Sequence, residues 1–190
     1  ATRQQFLQHS YAQSQRLTSL LQDISTLNRI DDAPGLMEYS PVNISKMIEN
    51  ICKETGLQLQ NHHMAFVNNL PKNVIIRGNQ SLLYSVFRNL TDNAITYAGD
   101  GTTITLDGIE DEQEWRFTFR DNGIGVSNQH LPRLFERFYR VDKGRSRKLG
   151  GTGLGLAIVK NAIMLHGGSI QVHNVETGGL CFEFNLKKKK

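Results

Sequence analysis

The sequence predicts an α/β fold: a two-layer sandwich of a mixed sheet with helices on one face, preceded by a long helix. Three observations carry this. Apolar residues recur at helical spacing over 43–58, over 80–97 and after Gly155, with shorter β-patterned segments between these stretches. The strands come as hairpins and also singly between helices, which mixes antiparallel with parallel pairing. Finally, residues 1–30 hold one amphipathic period that neither Pro nor Gly interrupts.

In that leading segment Phe6, Leu7, Leu17, Leu20, Leu21, Ile24 and Leu27 recur mostly at three- or four-residue steps. Such a helix buries its stripe against partner helices in a coiled coil or bundle, or folds back onto its own domain. Residues 31–35, Asp-Asp-Ala-Pro-Gly, end it as a linker. A second unit follows over 36–186, opening with a short strand at 36–40. Asn43 or Ser45 caps the helix over 43–58, which packs through Ile44, Met47, Ile48, Ile51 and Cys52. Residues 64–70 and 74–76 read as strands, and Asn79 caps the helix over 80–97. Its packing face is Leu83, Val86, Phe87, Leu90 and Ala94. Residues 104–106 and 115–119 form a hairpin across an acidic turn; 169–173 and 180–185 form another, turned by Thr177-Gly178-Gly179. Four lysines, 187–190, make a tail.

The 190 residues suit one ordinary domain plus an extra element, and 38% hydrophobic with 21% charged residues suits a globular chain. The net charge of +4 equals the four terminal lysines, so the basic balance reports the tail rather than a nucleic-acid-binding face. No apolar run approaches the roughly 18 residues of a membrane span, and no signal peptide stands at the start. Because the chain opens at Ala1 without Met, the expectation is a fragment of a longer protein, with an upstream membrane anchor left open. Cys52 and Cys181 read as free core thiols of a reducing compartment. Of six histidines only His62 and His63 adjoin, without carboxylate or thiol company, which speaks against a metal site there.

The chemistry concentrates in residues 121–156. Asp121-Asn-Gly123-Ile-Gly125 closes the strand 115–119, and Gly151-Thr152-Gly153-Leu154-Gly155 leads into a helix. Seven cations (Arg133, Arg137, Arg140, Lys143, Arg145, Arg147, Lys148) and two anions stand between them. Glycines opening onto a helix N-terminus make a seat for phosphate oxygens, although glycines are also plain turn formers. Two other phosphate motifs are excluded. No Gly-Lys dipeptide occurs, as a P-loop needs, and the glycine run follows polar Arg-Ser-Arg-Lys rather than a strand. On the helix 80–97, Asn89, Asn93 and Thr96 share a polar stripe. Asparagine is a poor helix former, so these residues either supply hard oxygens for Mg²⁺, with Asn93 the candidate ligand, or hydrogen-bond locally.

Asn89-x-x-x-Asn93-Ala, Asp121-x-Gly123-x-Gly125, Phe135-Glu-Arg-Phe138-Tyr139-Arg140 and Gly151-Thr-Gly153-Leu-Gly155-Leu occur in that order. They resemble the asparagine box, first glycine box, phenylalanine box and second glycine box of sensor histidine kinase catalytic domains. That family belongs to the GHKL ATPase superfamily of gyrase B, Hsp90 and MutL, whose Bergerat fold matches the sandwich. The resemblance covers roughly residues 36–186, and the leading helix resembles the second helix of the dimerisation and phosphotransfer hairpin.

The resemblance implies ATP and Mg²⁺ as cofactors. Asp121 would take the adenine amino group, with Gly123 and Gly125 close to the base and Tyr97 packed on it. Asn93 would bind Mg²⁺, with Asn89 assisting. Phe135, Phe138, Tyr139 and Arg140 would sit in a mobile lid, Arg140 on the γ-phosphate. Lys148, Gly151, Thr152, Gly153, Leu154 and Gly155 would surround the phosphates. Implied partners are the phosphotransfer helix of the same or the partner protomer, a response-regulator receiver domain, and a second copy through the leading helix. The implied setting is the cytoplasmic side of a bacterial inner-membrane receptor.

Two departures stand out. Position 96, often a cation in the family, is Thr96, and no histidine carries the His-Glu-apolar-basic-Thr-Pro acceptor motif. The acceptor helix is therefore expected upstream of Ala1. Gyrase- and Hsp90-like members place a catalytic Glu where Asn89 stands, so asparagine favours the kinases. A nucleotide-sensing module without catalysis is the other reading.

Overall fold

The computed structural model describes residues 2–32, 35, 37–141 and 151–188. Helix α1 runs Arg3–Asp32. Then come β1 (Ser40–Asn43), α2 (Ile44–Asn61), β2 (Ala65–Asn68), β3 (Ile75–Gly78), α3 (Gln80–Tyr97), β4 (Thr103–Glu110) and β5 (Glu114–Asp121). A 3-10 helix (Asn128–Arg133), α4 (Gly155–Leu165), β6 (Ile170–Asn174) and β7 (Leu180–Lys187) complete the order. Among the described residues no helix is long and apolar enough to cross a membrane.

The sheet is mixed, in the order β2-β4-β5-β7-β6. Only β2 and β4 run parallel; the other pairs are antiparallel. Alternate residues of β5 (Trp115, Phe117, Phe119) are buried while Arg116 and Arg120 are exposed, so one face takes the helices and the other takes water. Phe87 of α3 meets that face edge-on to Phe117, with ring centroids 5.5 Å apart, and Phe117 stacks on Phe184 at 5.2 Å. Burying each such ring contributes about 1.5–3 kcal/mol. The predicted packing face of α3 is wholly buried. Asn79 caps the helix, its Oδ1 accepting the Leu82 N–H at 3.0 Å.

Several local expectations change. The strand expected at 36–40 begins only at Ser40 and pairs with β3 in a separate two-stranded sheet. Tyr39 instead tilts onto His166, ring centroids 5.3 Å apart; Leu36 lies outside the described residues. Asn43 is the cap of α2, taking the Lys46 N–H. Ser45 is buried for another reason: its hydroxyl donates to the Pro71 carbonyl and accepts from the Val74 N–H. His62 does have a carboxylate partner, Asp100 at 2.7 Å, brought from 38 residues away. Asp31 and Asp32 belong to α1 rather than to a linker; Ala33 and Pro34 lie outside the described residues. Cys52 and Cys181 are unpaired thiols, and burial pushes Cys181 up to about 11.

Helix α1 divides its stripe. Leu27 is buried with Leu154 and Ile158 of the α4 region, with Ile24 packed alongside, and Ile30 joins the main core. Phe6, Leu7, Leu17 and Leu21 remain exposed. The fold-back alternative thus holds for the last turns of α1.

Candidate nucleotide site

Asp121 continues the inward alternation of β5, which carries its carboxylate into the core side at 6% exposure. Its Oδ1 accepts the Gly123 N–H at 2.9 Å and the Leu180 N–H at 3.4 Å. Burial raises its carboxyl above the usual carboxylate range, and these backbone donors pull it partly back. With Oδ1 engaged, Oδ2 is the oxygen left to accept from a ligand.

Gly123 is pressed against the end of α3. A Cβ there would stand 2.3 Å from the Ala98 carbonyl oxygen, so no side chain fits. The Ile124 N–H donates to that same oxygen at 3.1 Å. The loop after β5 is thereby fastened to the helix that presents Tyr97, Asn93 and Asn89. Tyr97 is 41% exposed. Asn93 is half-buried, and its side chain makes no hydrogen bond among the described residues. Asn89 Nδ2 donates to the Ser85 carbonyl at 2.8 Å, and its Oδ1 faces Gly155, where a Cβ would lie 2.8 Å away. Thr96 turns back on its helix, its hydroxyl donating to the Asp92 carbonyl at 2.7 Å.

The second glycine run closes the other side. Gly151 lies against the Tyr97 hydroxyl and the Arg140 guanidinium. Gly153 holds φ +77°, a left-handed conformation that favours glycine, and its carbonyl accepts the Phe138 N–H at 2.8 Å. That bond helps hold Phe138 at φ +63°, a costly conformation for an aromatic residue. Helix α4 begins with no side-chain cap hydrogen bond, so no capping side chain serves its first-turn amides.

The structure thus sets Asn89 against Gly155, Tyr97 and Arg140 against Gly151, and Arg140 against Gly153, with Asp121, Gly123 and Gly125 on the loop fastened to the end of α3. Three predicted residues face elsewhere. The Thr152 hydroxyl donates to Asp23 of α1 at 2.7 Å, and Leu154 is fully buried beneath Leu27. Tyr139 hydrogen-bonds His130 at 2.6 Å and lies under the Arg133 guanidinium at 4.2 Å. Phe135, expected in the lid, packs edge-on to Phe182 of the sheet, with ring centroids 6.3 Å apart. Lys148 and the rest of the basic stretch at 142–150 lie outside the described residues.

Sequence reasoning missed Asp23, Ala98 and Asn174. Ala98 works through its carbonyl, which no side chain announces, and the other two reach partners 129 and 48 residues distant. It also missed Arg88, which joins Asp92 and Glu54 at 2.9 Å each and braces the outer side of α3.

The profile of the histidine kinase-, DNA gyrase B-, and HSP90-like ATPases matches residues 78–190. The chain belongs to that family. It is 40% identical over 178 residues to the phosphate regulon sensor protein PhoR of Haemophilus influenzae, covering 93% of this chain and 41% of PhoR. The chain therefore spans less than half the length of this relative. Among solved structures, histidine kinase AdeS of Acinetobacter baumannii superposes with a TM-score of 0.82 at 21% identity, covering 99% of this chain and 86% of AdeS. Histidine kinase ThkA, solved in complex with response regulator protein TrrA, gives 0.71 at 18% identity, covering 92% of this chain and 49% of that one. These likenesses fix the fold as that of histidine kinase catalytic domains, in an ATPase family.

Proposed function

We infer that this chain is the ATP-binding catalytic part of a sensor histidine kinase, transferring the γ-phosphoryl of Mg-ATP to a histidine for relay to a response-regulator aspartate. One observation carries the reading: the buried Asp121 carboxylate stands on a loop fastened at Ala98 to the helix that presents Asn93. Base recognition and phosphate positioning thus share one rigid frame. The residues fit the group. Gly151, Gly153 and Gly155 carry no side chain where one would press on Tyr97, Phe138 and Asn89, the N-terminus of α4 has no side-chain cap, and the Asn93 carboxamide makes no hydrogen bond among the described residues.

When bound, Mg-ATP supplies the transferable phosphoryl group, and the metal spreads its charge. Asp121 Oδ2 accepts the adenine amino group, which guanine lacks at that position. Tyr97 packs on the base. Asn93 offers its Oδ1 to Mg²⁺, and Asn89 orients the glycine turn at Gly155. Arg140, held beside Gly151 and Gly153, steadies developing negative charge. Lys148 supplies a further cation.

The acceptor histidine comes from a separate helix, of this protomer or its partner, and the exposed stripe of α1 (Phe6, Leu7, Leu17, Leu21) suits pairing with a second copy. ThkA, solved with its response regulator, supports a receiver domain as the next partner. The setting that goes with this reading is the cytoplasmic side of an inner-membrane receptor. Thr96 favours a second reading, a weakly catalytic nucleotide sensor, because its hydroxyl is spent on the Asp92 carbonyl and brings no charge to phosphate. The test supplies Mg-[γ-³²P]ATP and a phosphotransfer hairpin carrying the acceptor histidine. Acid-labile, base-stable labelling supports the kinase; binding without labelling leaves the sensor.

A further inference from the structure

We propose that Asn174, at the end of edge strand β6, is a positioning residue for base recognition, clamping the loop that carries Gly123 and Gly125 so that Asp121 meets the adenine edge. The proposal rests on the reading of Asp121 as the adenine acceptor. The geometry is a two-way clamp. Asn174 Oδ1 accepts the Val126 N–H at 3.0 Å, while its Nδ2 donates to the Val126 carbonyl at 2.7 Å. The same Nδ2 also reaches Asn128 Oδ1 at 2.8 Å. One carboxamide thus satisfies both backbone groups of Val126, as a paired strand would.

The register of β6 and β7 extends the effect. Asn174 pairs with Leu180, and the Leu180 N–H is one of the two donors on Asp121 Oδ1. The hairpin therefore holds both ends of the loop: Asp121 through Leu180, and Val126 through Asn174. Between them the Ile124 N–H is tied to Ala98. Gly125 sits against the clamp at φ +62°, where a Cβ would lie 2.7 Å from Asn174 Oδ1. Released at Asn174, the loop keeps its Ala98 tie but loses its far anchor, and the glycine backbone no longer stands at a fixed distance from a base held by Asp121. Affinity for the base should fall more than affinity for the phosphates, which the glycine turn and α4 receive on the other side.

The experiment measures Mg-ATP and Mg-GTP affinity by calorimetry for the unaltered chain, Asn174→Ala, Asp121→Ala and the double variant. We expect Asn174→Ala to weaken ATP by roughly tenfold, the scale of one to two net hydrogen bonds, and GTP by much less, which narrows the preference. In the Asp121→Ala background the further loss should vanish, because the clamp acts through that carboxylate. Equal weakening of both nucleotides, or an undiminished loss in the Asp121→Ala background, overturns the proposal in favour of a general structural role. If the unaltered chain shows no ATP preference, the nucleotide reading itself fails and takes the clamp with it. Amide exchange covers the case of a poorly folded variant. In the unaltered, nucleotide-free chain the Val126 N–H should exchange as slowly as the amides of β5, and exchange at an open-loop rate would overturn the clamp.

Discussion

The Thr152 hydroxyl donates to Asp23 Oδ2 across 2.7 Å, joining the glycine turn to helix α1 over 129 positions of sequence. Around this bond Leu27 is buried on Leu154 and Ile158, and Asp31 pairs with Arg137 at 2.7 Å. Burial raises the Asp23 carboxyl above its ordinary value, and the Thr152 bond offsets part of that. A carboxyl raised by docking favours the docked state below its unfolded pKa, and that contribution fades as pH rises through the docked pKa. Packing of α1 should therefore tighten on mild acidification. Asp23→Asn keeps an acceptor without the charge, so it should dock at least as well and lose this pH dependence. Protection factors of the residue 24–30 amides, which divide out the base catalysis of exchange itself, read both effects at pH 5 and pH 8; greater protection at pH 8 would contradict them.

Leu27 tests the apolar half of the same contact. At 3% exposure it sits in a small cluster, so Leu27→Ala should cost about 2 kcal/mol, the low end for such truncations. The loss should appear as detachment of α1, with fluorescence of the buried Trp115 unchanged at the same denaturant concentration. A single transition shifted as a whole would mean that α1 and the sandwich unfold together.

Asp121 gives a pH dependence of the opposite sign in binding. Its raised carboxyl makes the unliganded fold slightly happier protonated, yet only the carboxylate accepts freely from an amino group. ATP affinity should decline as pH falls, starting at a higher pH than for an ordinary aspartate. Asp121→Ala should lose roughly 1.5–3 kcal/mol of binding at neutral pH. Calorimetry from pH 4.5 to 7.5 checks both, and a flat profile in the unaltered chain would count against Asp121.

Asn93 separates chemistry from folding. Its carboxamide makes no hydrogen bond among the described residues, so Asn93→Ala should shift stability by no more than about 0.5 kcal/mol. Labelling of a supplied acceptor hairpin should nevertheless disappear. Retained labelling would remove Asn93 from the metal.

His166 is a strut that composition hides. At 2% exposure its Nε2 accepts the Asn79 N–H at 3.0 Å while Nδ1 donates to the Ala162 carbonyl at 2.7 Å, which fixes a neutral tautomer. Gly78 adjoins it: a Cβ there would lie 2.8 Å from the ring and 2.6 Å from Leu83 Cδ1. Gly78→Ala and His166→Ala should each destabilise by about 1–3 kcal/mol. The double variant should fall short of their sum, because removing the ring frees space for the methyl. Thermal unfolding of the four proteins measures the coupling.

Periodicity and spacing alone determined the helices, the two hairpins, the mixed sheet and the packing face of α3, because burial of an apolar stripe is a local property repeated along the chain. They also singled out the glycine runs and paired asparagines, legible without coordinates, of which the fold sets Gly155 against Asn89. What the tertiary structure decided is which way those residues face. Thr152 and Leu154 read as phosphate neighbours but turn to Asp23 and Leu27. Tyr139 turns to His130, and Tyr39 leaves its expected strand for His166. The carbonyl of Ala98 and the carboxamide of Asn174 fix the site's loop without any signal near it in sequence. Such choices rest on hydrogen bonds and close contacts between segments tens of residues apart. Their donors and acceptors exist in every chain, and only the packed fold brings particular pairs within 3 Å.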